Sequence, residues 1–239
     1  MATFVFIHGG WVGGWFWRRV ANALRDAGHY AVCPTLTGCG ERKHLGTPET
    51  DLETHITDVA NCLEYEDVAR VVLAGHGYGG MVVSGVLDRA AHRVYHAAYV
   101  DAFVPSNGQA LADLRGADAI REYRQAVQGD GWHIPLPFKP EAMGITAEVD
   151  MRWMMHRFTP QPLAPFLSPL RLQSEAPPSV PRSFIRCTVN SPAWVPAMQE
   201  KAKTAGMKMY EVAAPHYAPA THPKEIAALL LKMAPGVNA

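Results

Sequence analysis

The sequence predicts an α/β fold with a mainly parallel, doubly wound sheet. Short apolar segments alternate with helix-like segments from the N-terminus, several of the apolar segments are nearly continuous, and the alternation returns near the C-terminus. Continuous apolar strands are typical of a parallel sheet that is covered on both faces. Alternation of strands and helices supplies the two helical layers that cover such a sheet.

Four strand-like and three helix-like segments alternate in the first 105 residues. In the first helix, Trp17, Val20 and Leu24 recur at helical spacing, and Gly28 is suited to cap the C-terminus. The strands are TFVFIHG, YAVCPTL, ARVVLAGH and VYHAAYVDAF, and the helices are WFWRRVANALRDAGH, DLETHITDVANCLEYE and GGMVVSGVLDRA.

Residues 106–178 break this alternation, because they are irregular and rich in proline, methionine and aromatic side chains. The strands RSFIRCT and KMYEVAA and the helices AWVPAMQEKAKTAG and PKEIAALLLKMA follow them. We therefore expect a helical lid of residues 106–178, inserted between two late strands of a core formed by residues 1–105 and 179–239. We expect Trp132, Trp153 and Phe158 to pack the lid on the sheet and to form an apolar substrate wall.

The composition argues against several classes of function. Lysine plus arginine and aspartate plus glutamate each number 22, so the formal net charge is zero and nothing indicates a nucleic-acid partner. The apolar runs are strand-sized and the N-terminal segment lacks a signal-peptide pattern, so we expect a cytoplasmic protein with no membrane association. The four cysteines have no metal-like spacing, and we expect reduced thiols, no metal and no cofactor. A homodimer is among the states that the sequence allows.

The carboxyl ends of the strands are where open parallel sheets bind ligands. In this sequence they carry His8-Gly9-Gly10-Trp11, the turn at residues 75–80, Asp101-Ala102-Phe103, and two late loops near Asn190 and His216. We expect Trp11 and Phe103 to lie beside a substrate that is small and apolar or aromatic.

The turn Gly75-His76-Gly77-Tyr78-Gly79 has the spacing G-x-G-x-G, where a nucleophile elbow has G-x-S-x-G. Glycine tolerates the strained conformation at the apex better than serine does, so we expect the turn to form without its nucleophile. The backbone N–H of Tyr78 would then lie at a helix N-terminus. Together with the N–H of Gly10, it would form an oxyanion hole.

The motifs FVFIHGGWVGGWFW, LTGCGERKHL, DLETHITDV, GHGYGGMV, YVDAFVP and FTPQPL occur together in this chain. With them the chain resembles the α/β-hydrolase superfamily over essentially its whole length. It is most similar to the small lidded group of hydroxynitrile lyases, plant methyl esterases and bacterial pyrethroid or carbendazim-type esterases. The resemblance implies that Gly77 occupies the nucleophile position and that His216 occupies the position of the catalytic histidine.

Two residues are candidates for the acid that orients His216. The resemblance places the acid of a late strand at Asn190, which is an amide and would favour the wrong histidine tautomer. Asp101 follows an earlier strand, where some members of the superfamily carry the acid. Asp101 is equally suited to a structural role, as an acceptor for loop amides.

Three functions agree with these residues. The first is a hydrolase of apolar esters, carbamates or amides that works through an acyl-enzyme, inactivated here by glycine at the nucleophile position. The second is a natural lyase, isomerase, cyclase or cofactor-free oxygenase, in which His216 is the base and the oxyanion donors stabilise an enolate. The third is a protein that binds a small apolar molecule without reaction.

Overall fold

The computed structural model describes residues 1–174 and 179–236. The first part of the chain alternates between strands and helices, as the sequence predicts. In order, these elements are β1 Thr3–Ile7, α1 Arg18–Asp26, β2 Tyr30–Val32, α2 Leu52–Tyr65, β3 Val71–Gly77, α3 Gly79–Ala90 and β4 Val94–Ala102.

The segment from residue 106 to residue 174, called the insertion below, contains short elements. They are α4 Leu111–Arg115, α5 Ala119–Ala126, β5 His133–Ile134, α6 Glu148–Met155, β6 Gln161–Pro162 and α7 Ala164–Leu167. β5 and β6 pair antiparallel, so the insertion is less helical than we expect from the sequence. Frequent prolines explain the difference, because each removes a backbone donor and limits helix length. The last four residues of the expected lid, 175–178, lie outside the described residues.

The chain then returns to the sheet through β7 Arg182–Val189, α8 Val195–Thr204, β8 Lys208–Pro215, α9 Ala218–Thr221 and α10 Pro223–Leu231. In the described part of the chain, six strands form one sheet in the order β2-β1-β3-β4-β7-β8. Every neighbouring pair in it is parallel. The α/β fold with a mainly parallel sheet is thus confirmed.

Both faces of the sheet are buried, as the continuous apolar strands require. Along β1, Phe4 and Phe6 belong to the apolar cluster that contains α1 and α10, whereas Val5 and Ile7 belong to the cluster that contains α2 and α3. Successive side chains of a strand point to opposite faces, so one short strand anchors both layers. Each such buried side chain contributes about 1.5–3 kcal/mol through removal of apolar area from water.

The start of α3 lies very close to the chain that follows β4. A Cβ atom added at Gly80 would lie 2.1 Å from the carbonyl oxygen of Phe103 and 3.0 Å from the Cβ of Ala102. No side chain can occupy that position without moving backbone. The absence of a side chain at Gly80 therefore lets the β3–α3 turn meet the end of β4, and this approach brings the site residues together.

We predict that Gly80→Ala lowers the free energy of unfolding by about 3 kcal/mol, because the added methyl group overlaps a backbone oxygen. Gly206→Ala is the matched control, since Gly206 has φ +70 but open space around its Cβ position. The control should lose only about 1 kcal/mol through backbone strain. Urea unfolding followed by circular dichroism measures both values, and equal losses would contradict the close-approach argument.

Candidate active site

A cavity of about 220 Å³ lies at the carboxyl ends of the strands, between the sheet and the insertion. This is the edge at which parallel sheets bind ligands. The sheet side contributes loops that follow β1, β3, β4 and β8. The insertion contributes a mainly apolar wall that includes Leu111, Tyr123, Ile134, Phe138, Met143 and Phe166. The cavity can therefore hold a small apolar molecule against a strip of polar backbone.

Gly77 ends β3 with φ +53, a left-handed conformation that side-chain-bearing residues rarely adopt. A Cβ atom added there would lie 3.8 Å from Nε2 of His216 and 3.9 Å from Cα of Gly9. Both separations are ordinary van der Waals contacts, so a side chain would fit and would point at the histidine. The turn therefore has the geometry of a nucleophile elbow, and its apex carries no reactive group.

His216 follows β8 and is oriented by Asp101. Nδ1 of His216 lies 2.9 Å from Oδ2 of Asp101, which is completely buried. The other oxygen of Asp101 accepts the backbone N–H of Cys187 at 2.9 Å. Because a carboxylate oxygen accepts, Nδ1 carries a proton, so in the neutral ring the lone pair is on Nε2, the nitrogen on the side of Gly77. This arrangement is that of an oriented general base.

Asn190 does not take part in this contact. It is exposed on the loop after β7 and has φ +48. Of the two candidates for the acid, the structure brings Asp101 to His216, because Asp101 already occupies the Nδ1 side of the imidazole. Asp101 also has a positive φ, +44, so the end of β4 is turned sharply where the carboxylate meets the histidine.

Gly10 and Tyr78 also line the cavity. Tyr78 precedes the first residue of α3, so its N–H lies at the N-terminus of a twelve-residue helix. Gly10 is covered by the insertion, since an added Cβ would be 2.9 Å from Cζ of Phe166. Both residues therefore belong to the same cavity as Gly77 and His216.

The insertion holds the loop after β1 through Gln161, a buried residue that sequence reasoning did not single out. Oε1 of Gln161 accepts the N–H of Trp11 at 3.1 Å, and the carbonyl of Trp11 accepts the N–H of Thr159 at 3.0 Å. Trp11 has φ +62, so these bonds hold a strained residue next to Gly10. The sequence signal was present in the motif FTPQPL, which contains both residues.

Tyr78 is fixed by a second buried contact. Its hydroxyl lies 2.8 Å from Nδ1 of His55, and Nε2 of His55 lies 2.8 Å from the carbonyl oxygen of Thr37. Burial raises the pKa of Tyr78 well above its usual value and lowers the pKa of His55. A neutral His55 therefore donates from Nε2 to Thr37 and accepts the Tyr78 hydroxyl at Nδ1.

Two further histidines are structural. Nδ1–H of His8 donates to the carbonyl of Gly9 at 2.7 Å, and the N–H of Leu36 donates to Nε2 of His8 at 3.0 Å. Burial lowers the pKa of His8 to about 4 and that of His76 well below its usual value. His76 is thus neutral, and its Nε2–H donates to the carbonyl of His216 at 2.9 Å. Both residues hold loops of the site without carrying charge.

The substrate-facing aromatics differ in part from those that the sequence suggests. Trp11 and Phe103 line the cavity, and Phe103 stacks on Trp194 with ring centroids 4.0 Å apart. Trp132, Trp153 and Phe158 are not brought to the cavity and pack elsewhere. Trp153 and Phe158 lie edge-on to Trp15 at 5.2 and 6.1 Å, and Trp132 lies 3.6 Å from the ring of His133 and against Gly46. Helical or apolar context does not reveal which aromatic of an insertion faces inward, so the sequence does not identify Tyr123, Phe138 and Phe166, which line the cavity, nor Trp194 of the loop after β7.

Among the residues described, 1–174 and 179–236, no cluster of three or more histidine, cysteine or acidic side chains that could hold a metal ion occurs. Among the same residues, no helix is long and apolar enough to cross a membrane.

The fold, the elbow and the oriented histidine define an enzyme scaffold of the α/β-hydrolase type. A family model described as "Alpha/beta hydrolase family" matches residues 4–229, and the chain belongs to this family. The carbendazim hydrolyzing esterase of Nocardioides sp. (strain SG-4G) is 41% identical over 180 residues, which are 72% of this chain and 74% of that protein.

Two other similar proteins agree with the family assignment. The putative chloroplastic methylesterase 14 of Arabidopsis thaliana is 27% identical over 213 residues, 83% of this chain and 61% of that protein. A solved extracellular α/β-hydrolase from a Paenibacillus species is 26% identical, with a TM-score of 0.85 over 98% of this chain and 100% of that chain. That protein is described as sharing structural and functional homology with tobacco salicylic acid binding protein 2.

Gln161 allows a test of how the insertion positions the loop after β1. In a Gly77→Ser background, Gln161→Met should lower kcat for 4-nitrophenyl butyrate by about tenfold with little change in KM. Without this acceptor the N–H of Trp11 is unpaired, which costs about 1–3 kcal/mol. We expect the backbone of Trp11 to shift as a result and to displace the neighbouring Gly10.

The matched control is Gln199→Met in the same background. Gln199 is also a buried glutamine, but its Oε1 accepts from Arg186 at 2.9 Å, and it does not line the cavity. Its kinetic constants should stay within twofold of the background. Similar losses of kcat in both variants would mean that Gln161 matters only for stability.

Proposed function

We propose that the protein has the binding site and the catalytic support of an esterase for small apolar carboxylic esters, carbamates or amides, with Gly77 at the nucleophile position. The substrate lies in the 220 Å³ cavity between the apolar wall of the insertion and the strand ends. Its carbonyl oxygen accepts hydrogen bonds from the N–H groups of Gly10 and Tyr78. His216 is the general base and then the general acid, and Asp101 orients it.

One observation carries this proposal. The Cβ position of Gly77 faces Nε2 of His216 at 3.8 Å, while Nδ1 of the same ring contacts Asp101 at 2.9 Å. A serine hydroxyl on that Cβ would reach hydrogen-bond distance of Nε2. Position 77 therefore lacks only the Cβ and the hydroxyl group of a serine to place a nucleophile beside this base.

The similar proteins support the class of substrate. The relative from Nocardioides is a carbendazim hydrolyzing esterase, and several plant relatives are methylesterases. The apolar lining agrees with a substrate that carries an apolar or aromatic group.

A second candidate function follows from the intact pair of Asp101 and His216. A base with a free Nε2 and two nearby N–H donors can remove a proton next to a carbonyl and stabilise the enolate. That chemistry, in a lyase, isomerase, cyclase or cofactor-free oxygenase, needs no nucleophile at position 77. A protein that only binds its ligand would have no need of the oriented histidine.

We propose in addition a cytoplasmic location, which is supported by the free thiols of Cys33, Cys39, Cys62 and Cys187. The absence of a cofactor and of nucleic-acid or membrane partners, and the homodimer, remain predictions from the sequence.

We predict that Gly77→Ser raises the rate of hydrolysis of 4-nitrophenyl butyrate by about 10³-fold or more, because it supplies the missing nucleophile. Stopped-flow traces should show a burst of 4-nitrophenol, and a fluorophosphonate should label the variant at position 77. The double variant Gly77→Ser/His216→Ala is the control and should show neither. If Gly77→Ser folds and remains inert, the esterase proposal is wrong.

The acid can be tested in the same Gly77→Ser background. Asp101→Asn should lower kcat by about 10⁴-fold, because an amide at that position favours the unproductive tautomer of His216. Asn190→Ala should change kcat less than threefold, since Asn190 is exposed and has no contact with the histidine. Steady-state kinetics at neutral pH separate the two, and the reverse order of losses would assign the acid to the loop after β7.

A further inference from the structure

Gly77 differs from the other glycines of the site in how much space surrounds it. Added Cβ atoms at Gly75, Gly79 and Gly80 would approach backbone oxygens to 2.6, 2.7 and 2.1 Å, so packing demands glycine there. At Gly77 the nearest atoms are 3.8 and 3.9 Å away. Packing does not demand glycine at position 77. What the glycine provides is open space directly in front of His216.

We propose that this space, the notch between Gly77 and Nε2 of His216, holds a water molecule that His216 activates. The protein would then hydrolyse its substrate by direct attack of water, with no acyl-enzyme. The proposal rests on the proposed function, because it uses the same cavity, the same N–H donors of Gly10 and Tyr78 for the substrate carbonyl, and the same class of substrate. It assigns the unaltered chain an activity that needs no serine.

The dimensions of the notch suit water. A water oxygen forms a hydrogen bond to an imidazole nitrogen at about 2.8 Å. The Cβ position itself is 3.8 Å from Nε2, and apart from the two residues next to Gly77 in the chain the other near atom is Cα of Gly9 at 3.9 Å. A water at that distance occupies nearly the place that the hydroxyl oxygen of a serine would take. It therefore faces the same carbonyl carbon from the same side.

His216 has the orientation and the charged partner that a general base for this water needs. Its Nδ1–H donates to Asp101, so the lone pair is on Nε2, and only 6% of the residue is exposed. The buried carboxylate of Asp101, held by the N–H of Cys187, stabilises the imidazolium that forms when Nε2 takes a proton. The neighbouring His76 is neutral and bonded to the carbonyl of His216, so it adds no competing positive charge.

The reaction balances with water as the co-reactant. The water oxygen forms a bond to the carbonyl carbon while Nε2 takes one water proton, and the carbonyl π electrons move to the oxygen. The N–H groups of Gly10 and Tyr78 bind this oxyanion. The carbonyl then re-forms, the bond to the leaving alcohol or amine breaks, and the leaving group takes the proton from Nε2. The products are a carboxylic or carbamic acid and an alcohol or amine.

The test uses methyl benzoate, because its poor leaving group excludes simple nucleophilic attack by an imidazole. The unaltered chain should hydrolyse it steadily, without a burst and without a covalent adduct in the intact mass. Gly77→Ala should fold, because its methyl group meets only ordinary contacts and its backbone strain is about 1–2 kcal/mol, and it should lose at least about tenfold in kcat by displacing the water. His216→Ala should lose about 10²-fold or more, the contribution of general base catalysis.

Gly77→Ser separates failure of this proposal from failure of the proposed function. If Gly77→Ser is active while the unaltered chain does not exceed the buffer rate, direct water attack is wrong and the esterase site stands. Equal rates for the unaltered chain and Gly77→Ala would also overturn the notch as the site of the water. If Gly77→Ser and the unaltered chain are both folded and inactive, the esterase proposal itself fails, and this one fails with it.

Discussion

The hydrogen bond between Asp101 and His216 is the constraint on which the geometry of the site depends. It joins the end of β4, in the middle of the sheet, to the loop after the edge strand β8. The same carboxyl group accepts the N–H of Cys187 in β7, which lies between those strands. One buried side chain thus fixes three neighbouring strand ends, and with them the direction in which Nε2 points. Since Asp101 has no exposure to water, its loss would leave buried donors unpaired as well as the histidine unoriented.

The insertion completes the opposite side of the site through backbone contacts. Gln161 and Thr159 bind the N–H and the carbonyl of Trp11, and the Trp11 indole N–H lies 3.1 Å from the carbonyl oxygens of Ile134 and Pro135. The insertion therefore holds both the backbone and the indole of Trp11 in the loop after β1. The conformation of Trp11, and with it the position of the neighbouring Gly10, therefore depends on contacts from the insertion.

Much of the fold could be predicted from local sequence, because apolar runs, helical spacing and the glycine pattern of the elbow are all local signals. His216 could be placed because it lies at a fixed distance from the last strand and helix. The choice between Asp101 and Asn190 could not be made, since it depends on a contact 115 residues apart and on a positive φ at Asp101. Similarly, the direction of Trp153 is set by Trp15 and Arg19, which pack against it from the core side. Gln161 was missed because a lone polar residue between prolines gives no indication of its partner.

The energetics of position 77 differ from those of the rest of the elbow. A serine at φ +53 would store about 1–2 kcal/mol of backbone strain, which glycine does not. Elsewhere the turn depends on glycine for close packing, because a side chain at Gly75, Gly79 or Gly80 would overlap a backbone oxygen. Glycine at the apex therefore relaxes the turn without altering its path, and the positions of Gly10, Tyr78, Asp101 and His216 do not depend on a side chain there. In this chain the apex conformation is not needed for packing, so glycine at position 77 avoids the strain of a side chain there and still leaves the oriented histidine facing the cavity.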